Sequence, residues 1–240
     1  MLKNIFPVLR ELIYPHYCFI CHNKIAFSNE QDALCRHCQE SIIFNTPAFC
    51  QKCGRTLSKI STALICPACT KTQIYFERAW ASCPYQGVVK EMIHSFKYKN
   101  NFSLGKHLSC LLIDFIQEYH LPITSCDYII PIPLSLAKLR EREFNQAQIL
   151  GFNLSLSLSI PMQENNLKRI RNTASQTELD HTARWRNIAG AFKVEKPNAI
   201  DKKTILLIDD VITTGATASE AAKALKYAGA NAVFALAIAN

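Results

Sequence analysis

Apolar residues recur along the C-terminal two thirds of the chain at alternating helical and strand spacings. Within Gly87 to Lys97, the positions Val88, Val89, Met92, Ile93 and Phe96 fall on one face of a 3.6-residue period, which predicts an amphipathic helix. "LGKHLSCLLIDFIQEYH" predicts a second helix and "CDYIIPIP" a buried strand. A helix around Phe144 to Leu158 follows, then a polar loop, a strand in "TILLIDD", a helix near Ala216 to Ala228 and a strand in "AVFALAIA". Strands alternating with helices predict an α/β fold, a parallel sheet with helices on both faces.

The first 75 residues lack this pattern and carry cysteines instead. Of eleven cysteines, eight form CxxC pairs: Cys18 with Cys21, Cys35 with Cys38, Cys50 with Cys53, and Cys66 with Cys69. Two thiolates at that spacing converge on one ion from a tight turn, so four such knuckles predict two four-cysteine structural zinc sites, a small zinc-ribbon module. Disulfides or redox CxxC motifs are the competing reading, but a redox motif occurs singly beside a βαβ pattern that is absent here. Sequential pairing onto two ions keeps each loop short, and interleaved pairing stays open at this point. Four cysteines saturate each ion, so His22 and His37 read as exposed bystanders. A domain boundary is expected near residue 75, giving a module at 1–75 and an α/β domain at 76–240, with 76–120 as a helical hood.

Composition adds two limits. No apolar run reaches the roughly 18 residues that span a bilayer, so no membrane insertion is expected. Arg10 and Glu11 interrupt the opening apolar stretch, which predicts an amphipathic N-terminal helix rather than a secretion signal. The formal net charge is +8, and two zinc-tetrathiolate sites, each carrying a net charge of about minus two, bring it to about +4. Residues 1–75 hold eight Lys or Arg against four Asp or Glu, so the module is near neutral once loaded. That weakens any argument for a basic nucleic-acid-binding finger.

The stretch "ILLIDDVITTGAT", Ile205 to Thr217, carries the chemistry. A strand in a parallel sheet delivers its loop to the edge where ligands bind. Backbone N–H groups and hydroxyls in Thr213, Thr214, Gly215, Ala216 and Thr217 suit a phosphate at the head of the next helix, and Gly215 lets the backbone approach closely. Asp209 and Asp210 would repel that phosphate. They suit a neighbouring hydrogen-bond donor such as the two adjacent hydroxyls of a ribose.

These thirteen residues resemble the 5-phosphoribosyl diphosphate (PRPP) motif of type I phosphoribosyltransferases. The resemblance implies a type I phosphoribosyltransferase-like sheet in which Asp209 and Asp210 contact the ribose and Thr213 to Thr217 hold the 5-phosphate. "PIPLSLAKLREREFNQAQIL", "RNTASQTELDHTARWRNIAGAF" and "HSFKYKN", with the "PHYCFIC" start, resemble the ComF family of competence-associated proteins over nearly the whole chain. By that likeness the first stretch lies on the pyrophosphate side of the pocket and the second contains a mobile loop over it. Glu143 departs from the family's "RGFNQ", which has glycine there. Arg140, Arg142, Lys168, Arg169, Arg171 and Arg184 are candidates to neutralise a diphosphate, with Arg142 and Arg171 preferred from their motif positions. Asn145 and Gln146 equally suit a helix start, and Thr173 and Gln176 a loop over the site. Tyr85, His94, Phe96 and Tyr98 in the hood are candidate stacking partners or core residues.

Three functions stand on this reading. The resemblance implies a cytoplasmic protein of natural transformation that binds PRPP with magnesium and handles incoming single-stranded DNA, with the zinc module open to protein partners of the uptake machinery. A metabolic phosphoribosyltransferase acting on a base or amine is the second. A non-catalytic PRPP sensor is the third.

Overall fold

The computed structural model describes residues 16–25, 33–57, 64–99, 101–172 and 181–240. The expected N-terminal helix, and Thr173 and Gln176, lie outside the described residues. Two short helices, α1 (Arg36–Glu40) and α2 (Pro67–Thr70), start directly after cysteines, with Cys35 and Cys66 as their N-caps. Beyond them run β1 (Arg78–Cys83), α3 (Gly87–Tyr98), α4 (Ser103–Glu118), β2 (Tyr128–Pro131), α5 (Leu136–Arg142) and α6 (Gln146–Leu158). The order continues with β3 (Leu167–Arg169), α7 (His181–Ile188), β4 (Phe192–Val194), β5 (Thr204–Val211), α8 (Ala216–Tyr227) and β6 (Ala232–Ala239).

Four strands form one parallel sheet in the order β1-β6-β5-β2, and β3 pairs antiparallel with β4 outside it. Alternation along β5 sends Leu206 and Ile208 to one face and Ile205 and Leu207 to the other. Met92 and Phe96 of α3, Leu108 and Phe115 of α4, and Leu150 and Leu154 of α6 cover the first face. The second packs against Ala218, Ala222 and Leu225 of α8, Ile188 of α7, and the β3–β4 pair. The expected helices and strands are present, with helices on both faces. β1, α5, α7 and the β3–β4 pair are additional to the elements read from the pattern.

Segments from outside the sheet run along both of its outer strands. On the β1 side, the Asn45 N–H donates to the Ser82 carbonyl at 2.8 Å and the Ala79 N–H to the Lys52 carbonyl at 2.7 Å. Gly54 lies flat on that strand at φ +69°, and a Cβ there would fall 2.4 Å from the Ala79 carbonyl oxygen. On the β2 side, the Ile129 N–H donates to Pro161 at 3.0 Å and its carbonyl accepts from the Gln163 N–H at 2.9 Å. The N-terminal segment also shares the core: Cys18, Leu34 and Cys38 join the cluster of Leu108, Phe115 and Leu236. Phe49 packs edge-on against Phe115 and Tyr119, with centroids 6.0 and 5.6 Å apart.

Candidate functional site

Cys18, Cys21, Cys35 and Cys38 bring their sulfurs within 4.8 Å of one another, and Cys50, Cys53, Cys66 and Cys69 do the same. Pairing is therefore sequential. The Cys66 N–H donates to Cys50 Sγ at 3.3 Å, the kind of amide donor that favours the thiolate needed for metal binding. Two closed four-sulfur sets fit two structural zinc ions. His22 and His37 are exposed and belong to neither cluster.

At the end of β5, Asp209 and Asp210 lead into the turn before α8. Gly215 is the N-cap of α8 at φ +77°, ψ 0°. A Cβ there would meet Phe76 at 3.5 Å, an ordinary contact, so the glycine serves a left-handed backbone rather than close approach. No acidic side chain occupies the first turn of α8, which leaves the positive end of its dipole open to an anion. Thr214 Oγ1 accepts from the Ala216 N–H at 3.3 Å and steadies the turn.

Beside this loop lies a cavity of about 430 Å³, lined by Asp209, Asp210, Thr213 and Thr217. Lys97, Lys138, Arg142, Arg169 and Arg184 line it too. Lys97 Nζ sits 2.9 Å from Asp210 Oδ1, and an Arg142 terminal nitrogen 3.9 Å from Oδ2, with all three side chains at most 14% exposed. Arg142 donates to Gln146 Oε1 at 3.1 Å and to the Tyr98 hydroxyl at 3.4 Å. Its buried Nε has no hydrogen-bond partner among the described residues, leaving one strong donor for a ligand. Burial and the neighbouring Asp210 carboxylate push Asp209 up to about 7, against the pull of Lys97 and Arg142. Burial, and then the charges of Arg142, Arg169 and Lys97, hold Lys138 below its ordinary value. Five cations against two carboxylates give the cavity a net positive lining, which suits an anionic ligand.

The structure gathers Asp209, Asp210, Thr213, Thr217 and Arg142 at one cavity, while Thr214, Gly215 and Ala216 form the loop beside it. Arg171 stands apart: it is exposed and donates to the Ala189 carbonyl, while Arg169, two residues earlier on β3, lines the cavity. Lys97 and Lys138 join the site unforeseen; the spacing of Lys97 in α3, one after the buried Phe96, is the signal that put it at the core's edge. Tyr85, His94 and Tyr98 line the cavity, whereas Phe96 is core. Asn145 caps α6, accepting from the Ala147 N–H at 3.1 Å and donating to the Ile132 carbonyl. Glu143 takes the left-handed geometry of a glycine, φ +64°, at the end of α5, and its exposed position keeps it off the cavity lining.

A parallel α/β sheet with this loop at its edge, carried behind two four-sulfur clusters, defines an α/β protein with an N-terminal zinc-ribbon module. Residues 9–72 match the double zinc ribbon domain family. Competence protein F of Haemophilus influenzae is 30% identical over 217 residues, covering 88% of this chain and 91% of that one. The DNA utilization protein YhgH of Escherichia coli is 28% identical over 226 residues, covering 92% and 96%. Among solved structures, the glutamine PRPP amidotransferase of B. subtilis aligns at 17% identity and a TM-score of 0.35, over 64% of this chain and 28% of that one; the fold assignment rests on the strand order and register above, not on that likeness. The chain belongs to the competence protein F (ComF) family.

Proposed function

We propose that the cavity binds PRPP. The 5-phosphate sits on Thr213 to Thr217, the ribose hydroxyls on Asp209 and Asp210, and the diphosphate against Arg142, Arg169 and Lys138. One observation carries this reading: an acidic pair and a cationic majority share one cavity beside a helix-head loop. A simple polyanion gains nothing from the carboxylates, whereas PRPP presents a diol between two anionic ends. Magnesium, when bound with PRPP, neutralises part of the diphosphate charge. The chain's own cations neutralise the rest and hold the leaving end in place.

On this reading the protein acts in the cytoplasm during natural transformation, on incoming single-stranded DNA. The names of its competence and DNA-utilization relatives support that role. A metabolic transferase is the second reading, favoured by Tyr85, His94 and Tyr98 on the cavity wall, rings on which an acceptor base can stack.

Calorimetric titration with PRPP and magnesium tests the site. Asp209→Asn with Asp210→Asn is expected to weaken PRPP roughly tenfold to a hundredfold, since charge-assisted hydrogen bonds to both hydroxyls are lost, while two zinc ions per chain remain. Unchanged affinity removes the ribose assignment. Pyrophosphate release with a free base selects the metabolic reading, and single-strand binding without turnover selects the DNA role. PRPP affinity with neither marks a sensor.

A further inference from the structure

We propose that Arg55, supplied by the second zinc ribbon, binds the phosphate held by the Thr213–Thr217 loop, so that a structural metal site places one of the ligand's cations. The inference rests on the PRPP reading above and adds a residue from outside the α/β part of the chain.

Arg55 is built into the metal knuckle. The Cys50 N–H donates to the Arg55 carbonyl at 2.8 Å and the Gly54 N–H to the Cys50 carbonyl at 3.0 Å. The knuckle in turn is fixed to β1 by the Ala79-to-Lys52 bond and the flat contact of Gly54. From that base the guanidinium reaches the phosphate loop, donating to the Thr213 carbonyl at 3.4 Å. Arg184 of α7 donates to the Thr213 hydroxyl at 3.2 Å. The first residue of the loop is thus flanked by two guanidinium groups, one from the zinc ribbon and one from α7.

The contact Arg55 makes is a poor use of its chemistry. Among the described residues, one exposed backbone carbonyl at long range engages a single donor of five, and an exposed tether of this kind adds little stability. A phosphate in the loop offers paired, charged oxygens that match the fork.

The test is calorimetry on zinc-loaded protein with ribose 5-phosphate and, separately, inorganic pyrophosphate. Arg55→Ala is expected to weaken ribose 5-phosphate about tenfold and to leave pyrophosphate unchanged. Arg55→Lys should fall between, and the salt dependence of ribose 5-phosphate binding should flatten in the alanine variant. Equal ribose 5-phosphate affinity in Arg55→Ala and the parent overturns the proposal. So does equal weakening of both ligands, or loss of zinc from the variant, because either marks Arg55 as structural. If the parent protein binds neither compound, the PRPP reading itself fails and this inference falls with it.

Discussion

Between an ordinary value of 3.8 and about 7, the folded chain keeps a proton on Asp209 that the unfolded chain releases. Folding therefore weakens as pH rises through that window, and the full penalty is present above it. Asp209→Asn removes the titrating group, so it should raise the melting temperature by a few degrees at pH 8 and flatten the decline between pH 4 and 7. Scanning calorimetry across that range checks this, and an unchanged slope sinks the assignment. The destabilised carboxylate sits where a diol is proposed to bind, a common exchange of stability for function. The acid pair and the loop were legible because acidic residues after an aliphatic strand, followed by Thr and Gly, have few other uses. Arg169 was less so: Arg169 and Arg171 are both arginines near one motif, and only the end of β3 decides which one faces the cavity.

The readable elements were those with a strong apolar signature: α3, α4 and α8 each bury a regular apolar face, and β5 and β6 are near-continuous aliphatic runs buried on both sides. β1 escaped because "RAWASC", though buried from Ala79 onward, mixes small and polar residues and offers neither alternation nor an aliphatic run. β3 and β4 are three residues each, too short to carry a period. The knuckle that rests on β1 was legible as a metal site but not as a neighbour of that strand, since no local pattern encodes the missing side chain of Gly54. Gly54→Ala is expected to lower the melting temperature markedly, because a methyl group 2.4 Å from a backbone oxygen forces the knuckle off the strand. Hydrogen exchange should then show faster exchange at Ala79, the donor to Lys52. An unaffected Ala79 amide speaks against the contact.

Across the molecule, the first sulfur cluster and the α/β core are one body of packing, as the shared cluster of Cys18, Leu34, Leu108, Phe115 and Leu236 shows, and the second is tied to β1 by the Ala79-to-Lys52 bond. Structural zinc supplies on the order of 10 kcal/mol to small metal modules. Chelation should therefore lower the melting of the whole chain by more than ~10 °C in a single transition. A C-terminal transition that survives chelation at its original temperature contradicts this. The backbone pairing at the two flanks of the sheet has a further consequence. With Asn45 and Lys52 bonded along one outer strand and Pro161 and Gln163 along the other, further copies find no ready template there for ribbon-like growth. Strand addition to this sheet is then expected only of a metal-stripped chain whose first strand is laid open.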